Sequence, residues 1–107
     1  MRSHIEYSEL LDIYGDLLTK KQRDVMELSV NEDLSLAEIA EDLKISRQAC
    51  QDSIKKAEQK LDEYEEILKI SEKNAKMETV LQELENLKDT DGLKAYIDRL
   101  RAIITEE

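Results

Sequence analysis

Residues 34–61 read LSLAEIAEDLKISRQACQDSIKKAEQKL. Ser35 and Glu38 stand in an S-x-x-E arrangement directly ahead of Leu36, Ile39, Ala40 and Leu43. A serine oxygen there accepts from the backbone N–H three residues on, and the glutamate reaches back to the serine N–H, so a short helix is expected to start at this point. Lys44 and Ile45 make a tight connection, and Ser46 is placed to cap a second helix with apolar positions Ala49, Cys50, Ile54, Ala57, Leu61, Tyr64 and Leu68. Ala40 is small enough for two helices to cross closely, and Ile45 can plug the angle between them. That is the physical logic of a helix-turn-helix, with a predicted core of Leu36, Ile39, Ala40, Ile45, Cys50 and Ile54.

Upstream, Tyr7, Leu10, Leu11, Tyr14, Leu17 and Leu18 recur at helical spacing and predict a first helix over about Ile5 to Leu18, with Gly15 as its weak point. Thr19 and Gln22 form another capping box, so a further helix is expected to bury Val25, Met26 and Leu28 and to stop in the turn-favouring NED before Leu34. Downstream of Ser46 no glycine or proline occurs until Gly92, and the helix is expected to run past Ile70, with Ser71 as one possible restart. Met77, Val80 or Leu81, Leu84 and Leu87 continue a seam. KDTDG at 88–92 then supplies turn chemistry, and Leu93, Tyr96, Ile97, Leu100, Ile103 and Ile104 form a last stripe.

The composition agrees with these helices. Of 107 residues 39% are charged and 40% hydrophobic, proline is absent and glycine occurs twice. This suits narrow helices with one buried stripe, and the length suits one small core with a helical appendage. The expected class is all-α: a helix-turn-helix bundle over residues 1–70 with a C-terminal helical hairpin over 71–107 as an interaction region. No apolar run approaches a bilayer span and the N-terminal stretch lacks a signal-peptide core, so a cytoplasmic protein without membrane insertion is expected. One cysteine, Cys50, and one histidine, His4, make neither a disulfide nor a metal-ligand set, and no metal or cofactor is expected. There is no phosphate-cradling glycine loop and no nucleophile with a paired base, so enzymatic function is not expected.

Charge locates the candidate surface. The net charge is −10, with 9 basic and 13 acidic side chains in residues 1–60 and 7 and 13 in residues 61–107, or −4 and −6. Within residues 44–60, Lys44, Arg47, Lys55, Lys56 and Lys60 face only Asp52 and Glu58, giving +3. Lys20, Lys21 and Arg23 form a second basic cluster. In a helix-turn-helix the first residues of the second helix reach base edges; Arg47 can fork onto guanine, and Gln48 and Gln51 onto adenine. The candidate nucleic-acid-binding residues are therefore Lys20, Lys21, Arg23, Ser46, Arg47, Gln48, Gln51, Lys55 and Lys56. The acidic total opposes long-range attraction of a polyanion, so weak binding by the monomer is expected.

At YGDLLTKKQ, LSLAEIAED, SRQACQDSIKK and LDEYEE the chain resembles the YlxM family of small bacterial helix-turn-helix proteins over residues 7–68. Its first part is also similar to the DNA-reading C-terminal domain of bacterial sigma factors. By position the resemblance makes Ser46 the helix cap, Arg47 and Gln48 the exposed head, Ile54 a core residue and Lys55 a solvent- or phosphate-facing one. It implies a regulatory part in the signal recognition particle pathway, through the particle's RNA or its protein subunit. A DNA-binding transcriptional regulator and a protein-only adaptor are the competing readings. Lys44 departs from the glycine common at this turn, so a left-handed backbone there would cost about 1 kcal/mol. A homodimer through the C-terminal stripes is expected, because two narrow helices leave both incompletely covered, with docking within the chain on the first and fourth helices as the alternative.

Overall fold

The computed structural model describes residues 2–88, 90 and 92–105. Among them the chain forms six α-helices and no strand: α1 His4–Tyr14, α2 Lys20–Met26, α3 Leu36–Leu43, α4 Arg47–Leu68, α5 Ile70–Glu85 and α6 Leu93–Thr105. It divides into two compact units, Met1–Leu68 and Lys69–Glu107.

In the first unit each helix starts where a side chain can satisfy its orphan N–H groups. Ser3 Oγ accepts from Glu6 N, both predicted capping boxes form at Thr19/Gln22 and Ser35/Glu38, and Ser46 Oγ accepts from Ala49 N at 3.0 Å. The Glu38 carboxyl is held below its ordinary range by the Ser35 N–H and hydroxyl. Helix α1 is shorter than its apolar spacing predicts. It ends at Tyr14, and Gly15–Leu17 tighten into a 3₁₀ turn. The tighter turn advances each side chain further around the axis, which leaves Leu17 56% exposed while Leu18 is buried. Past α2 the chain widens into a π-helical turn, Glu27–Asn31, where the sequence predicted a simple continuation of α2.

The core has two joined parts. Tyr7, Leu10, Leu11, Tyr14 and Leu18 pack with Met26, Ala57 and Leu61, the Tyr14 ring lies 5.9 Å from that of Tyr64, and the Tyr14 hydroxyl donates to Glu65 at 2.7 Å. Val25, Ile39, Ala40 and Cys50 form the second part, with Leu36, Ile45 and Ile54 half-buried against it; Ile54 touches both parts. Helix α4 thus spans the core of the unit on one face and leaves the other to solvent.

The long helix expected to run past Ile70 ends instead at Leu68. Lys69 takes a left-handed backbone (φ +53°), and its carbonyl accepts from Lys73 N at 3.0 Å as the first bond of α5. Such a conformation costs a non-glycine residue about 1–2 kcal/mol, so local backbone preference does not favour the break.

In the second unit α5 and α6 run antiparallel as a hairpin. Arg99 pairs with Glu83 and lies over the Tyr96 ring, while Lys76, Thr79 and Val80 share a shallow cavity with Ala102 and Ile103. In the KDTDG turn, Asp89 and Asp91 lie outside the described residues, and Gly92 supplies a positive φ of +81°. Val80 is buried, α6 buries none of its residues, and Leu81, Leu93, Ile97 and Ile104 stay exposed.

Candidate nucleic-acid interface

The turn between α3 and α4 is closed by a Schellman arrangement. Lys44 adopts φ +56°, ψ +46°, its N–H reaches the Glu41 carbonyl at 3.3 Å, and the Ile45 N–H reaches the Ala40 carbonyl at 3.0 Å. Ile45 then packs against the Ala40 cluster. The turn aims α4, so its backbone strain sits directly behind the candidate surface. Replacing Lys44 with glycine removes the Cβ clash of the left-handed conformation and is expected to stabilise the unit by about 1 kcal/mol. Urea unfolding of K44G checks this; a midpoint at or below that of the parent would contradict the strained turn.

From this turn α4 presents Arg47, Gln48 and Gln51, all exposed. At about 100° per residue, Arg47, Gln51 and Lys55 follow one line along the helix, about 100° around the axis from Cys50, Ala57 and Leu61, which are fully buried. Gln48 donates its amide N–H to Asp52 at 2.9 Å, which fixes the amide beside this line.

The structure separates the sequence neighbours Lys55 and Lys56. Lys55 lines an open depression of about 840 Å³ with Arg2, Tyr7, Glu58 and Asp62 among its walls. There Tyr7 donates to Asp62 at 3.1 Å and Arg2 donates to the same carboxylate at 2.7 Å. Burial, and next the hydrogen bond to Asp62, push the Tyr7 phenol up to about 12, and burial raises the Glu58 carboxyl. Lys56 instead lines a narrower crevice of about 340 Å³ with Thr19, Lys21, Gln22, Ala49, Asp52 and Ser53. Lys21 therefore meets Lys56 across α2 and α4, and its charge also reaches the Cys50 thiol, whose ionisation burial opposes and Lys21 favours.

The two other cations of the α2 cluster are paired. Lys20 reaches Asp24 at 2.8 Å and Arg23 reaches Asp16 at 2.8 Å. Among the described residues Lys21, Arg47, Lys55 and Lys56 make no ion pair. Ser46 is spent on capping α4. Sequence reasoning missed Thr19, Gln22 and Ser53 as crevice walls. Ser53 stands three residues before Lys56, a spacing that puts both on one side of the helix and could have revealed it.

No described helix is long and apolar enough to cross a membrane. Residues 1–100 match the model of a family described as "Putative helix-turn-helix protein, YlxM / p13 like". Similar curated proteins carry the name UPF0122 protein. One from Clostridium perfringens (strain 13) is 47% identical over 110 aligned positions, covering 97% of this chain and 98% of the relative. Another, from Halalkalibacterium halodurans, is 48% identical over 95 positions, covering 85% and 87%. A third, from Exiguobacterium sp., is 45% identical over 92 positions, covering 85% and 86%.

Proposed function

Because the chain belongs to the YlxM / p13 like helix-turn-helix family, we propose that it is a regulatory nucleic-acid-binding protein whose partner meets the exposed side of α4 and the adjoining edge of α2. One observation carries this reading. In a chain with 26 acidic and 16 basic side chains, cations have an excess of carboxylates to pair with, yet Lys21, Arg47, Lys55 and Lys56 stand around the motif without an ion-pair partner among the described residues. Lys21 and Lys56, unpaired across one crevice, repel each other, and a polyanion relieves that repulsion while releasing its counterions. Arg47, Gln48 and Gln51 supply the base-edge chemistry at the head of α4, and Lys21, Lys55 and Lys56 the phosphate contacts, with Lys20 and Arg23 joining by exchanging their carboxylate partners. Ser46 orients the head rather than touching the partner.

The partner we infer is the RNA or ribonucleoprotein of the signal recognition particle, on the strength of the YlxM resemblance of residues 7–68. Duplex DNA read by Arg47 in a major groove is the second reading, favoured by the motif geometry itself. Fluorescence anisotropy against that RNA, duplex DNA of equal length and the particle's protein subunit discriminates them. Tightest binding to the RNA is expected. A preference for duplex DNA would replace it with the transcriptional reading, and binding to the protein subunit alone, insensitive to nuclease, would make the chain an adaptor.

We also propose that the exposed stripes of α5 and α6 associate with a second copy, because Leu81, Leu93, Ile97 and Ile104 are too large an apolar set to leave wet without cost. Sedimentation at micromolar concentration should give the mass of two chains, and a one-chain mass throughout would remove the dimer.

A further inference from the structure

We propose that the crevice between α2 and α4, walled by Lys21, Gln22, Ser53 and Lys56, is a seat for a single phosphodiester group. The proposal rests on the nucleic-acid reading above for the source of that group, but the seat itself is argued from its own side chains.

Ser53 is the informative residue. It is only 7% exposed and lies on the buried side of α4, yet its hydroxyl makes no hydrogen bond among the described residues. A serine inside a helix ordinarily bonds the carbonyl four residues back, as the threonine side chain at position 79 does to Ala75 at 3.1 Å. Ser53 has the same option at Ala49 and does not use it. A buried hydroxyl without a partner is unfavourable unless something outside the chain supplies one. Its neighbours say what that is. Lys21 and Lys56 bring two ammonium groups to the same crevice, neither in an ion pair among the described residues. Gln22 spends its side-chain oxygen on the Thr19 N–H at 3.1 Å in the capping box, which leaves its amide N–H groups as donors. Thr19 accepts from Gln22 N through Oγ1 at 3.2 Å and keeps its hydroxyl proton to give. Ala49 contributes no side chain beyond a methyl and leaves the space open.

Every side chain but Asp52 and Ala49 therefore offers donors, which suits an oxyanion with several acceptor oxygens. Asp52 sets the charge of the guest. Among the described residues its carboxylate accepts only from the neutral Gln48 amide at 2.9 Å, so two ammonium groups and one carboxylate leave the crevice with one net positive charge. That balances a phosphodiester, which carries one negative charge. A phosphomonoester or free phosphate, closer to two, would leave the filled crevice with an excess negative charge beside Asp52. A volume of about 340 Å³ admits one such group with its first waters, and the charged, donor-rich lining suits an anion better than a neutral base.

The test titrates the full chain with dimethyl phosphate, with inorganic phosphate and with the RNA and duplex DNA used above, following amide chemical shifts. Dimethyl phosphate at millimolar concentration should move the amides of residues 19–22 and 52–56 together, with sodium chloride at equal ionic strength leaving them in place. Lys56→Gln should weaken nucleic-acid binding about tenfold and Ser53→Ala about threefold, as expected for one charged and one neutral hydrogen bond. Ser53→Ala should also raise the melting temperature, because it removes a buried hydroxyl with no partner. Asp52→Asn should strengthen inorganic phosphate binding relative to dimethyl phosphate. Lys21→Gln repeats the Lys56 test on the opposite wall. If the nucleic acids bind but Ser53→Ala and Lys56→Gln bind them as the parent does and the crevice amides do not move, the seat is wrong and the nucleic-acid reading stands. If dimethyl phosphate moves the crevice amides and the variants abolish this while neither RNA nor DNA binds, the seat stands and the nucleic-acid reading falls.

Discussion

Arg47→Glu combined with Lys55→Glu is expected to reduce nucleic-acid affinity by at least about a hundredfold while leaving the helical content unchanged. Both side chains are exposed, on one line of α4, and neither makes an ion pair among the described residues, so the folded state loses no ion pair. For the bound state each reversal removes a cation from a phosphate or base edge and places a carboxylate there. With three or four phosphates neutralised by the parent, log affinity for a duplex should fall against log salt with a slope of about −3 to −4, and more gently for a single strand. The double variant should lose about two units of that slope. The slope separates a local effect from mere acidification of an already acidic chain. If the variant binds RNA, DNA and particle as tightly as the parent at matched salt, the face of α4 is not the site. Gln48→Ala refines the result: a base-reading amide changes sequence preference, whereas a shape-reading contact changes affinity only slightly.

The largest loss of stability is expected from Leu61→Ala, at about 2–5 kcal/mol. Leu61 is fully buried and packs with Tyr7, Leu10, Tyr14 and Ala57, so α1 and α4 meet around it. Truncation leaves a cavity against Tyr14, whose ring is fixed by its hydrogen bond to Glu65 and by Tyr64, and a fixed ring cannot collapse into the space. Against a total of about 5–15 kcal/mol for a domain, such a loss moves the protein close to its threshold. Urea unfolding measures it, and a cost below about 1 kcal/mol would mean that the α1–α4 packing is not as described. Leu61 lies more than three turns from Arg47, so any weaker binding by this variant should track its unfolded fraction and disappear at low temperature.

The helix-turn-helix was legible because its signals are local. The two capping boxes are read from residues three apart, Ser46 from its place before an apolar period, and the Ala40 and Ile45 roles from size and position alone. Where the chain departed from expectation, the deciding contact was distant or the backbone choice had no sequence mark. Lys69 breaks the long helix without a glycine, proline or asparagine to announce it, and the 3₁₀ turn at Gly15–Leu17 exposes a leucine that helical spacing had placed inside. The basic surface was legible as composition but not as geometry. Lys20 with Asp24 is an i, i+4 pair visible in the sequence, whereas Arg23 with Asp16 depends on how the chain enters α2. Lys55 and Lys56 are adjacent in sequence and occupy different hollows, since one helical step of about 100° is enough to carry a side chain from one wall of α4 to another.

Cys50 bears on how the motif moves. It is fully buried between α3, α4 and Val25, and it is the only cysteine in the chain. A thiol reagent cannot reach its sulfur without parting α3 from α4, so the rate of labelling measures how often the helix-turn-helix breathes, multiplied by the reactivity of a free thiol. A partner that grips both helices should slow that chemistry in proportion to its occupancy. The chain thus carries its own stopwatch for opening, with no dye or engineered probe, and the stopwatch runs at the joint that aims α4.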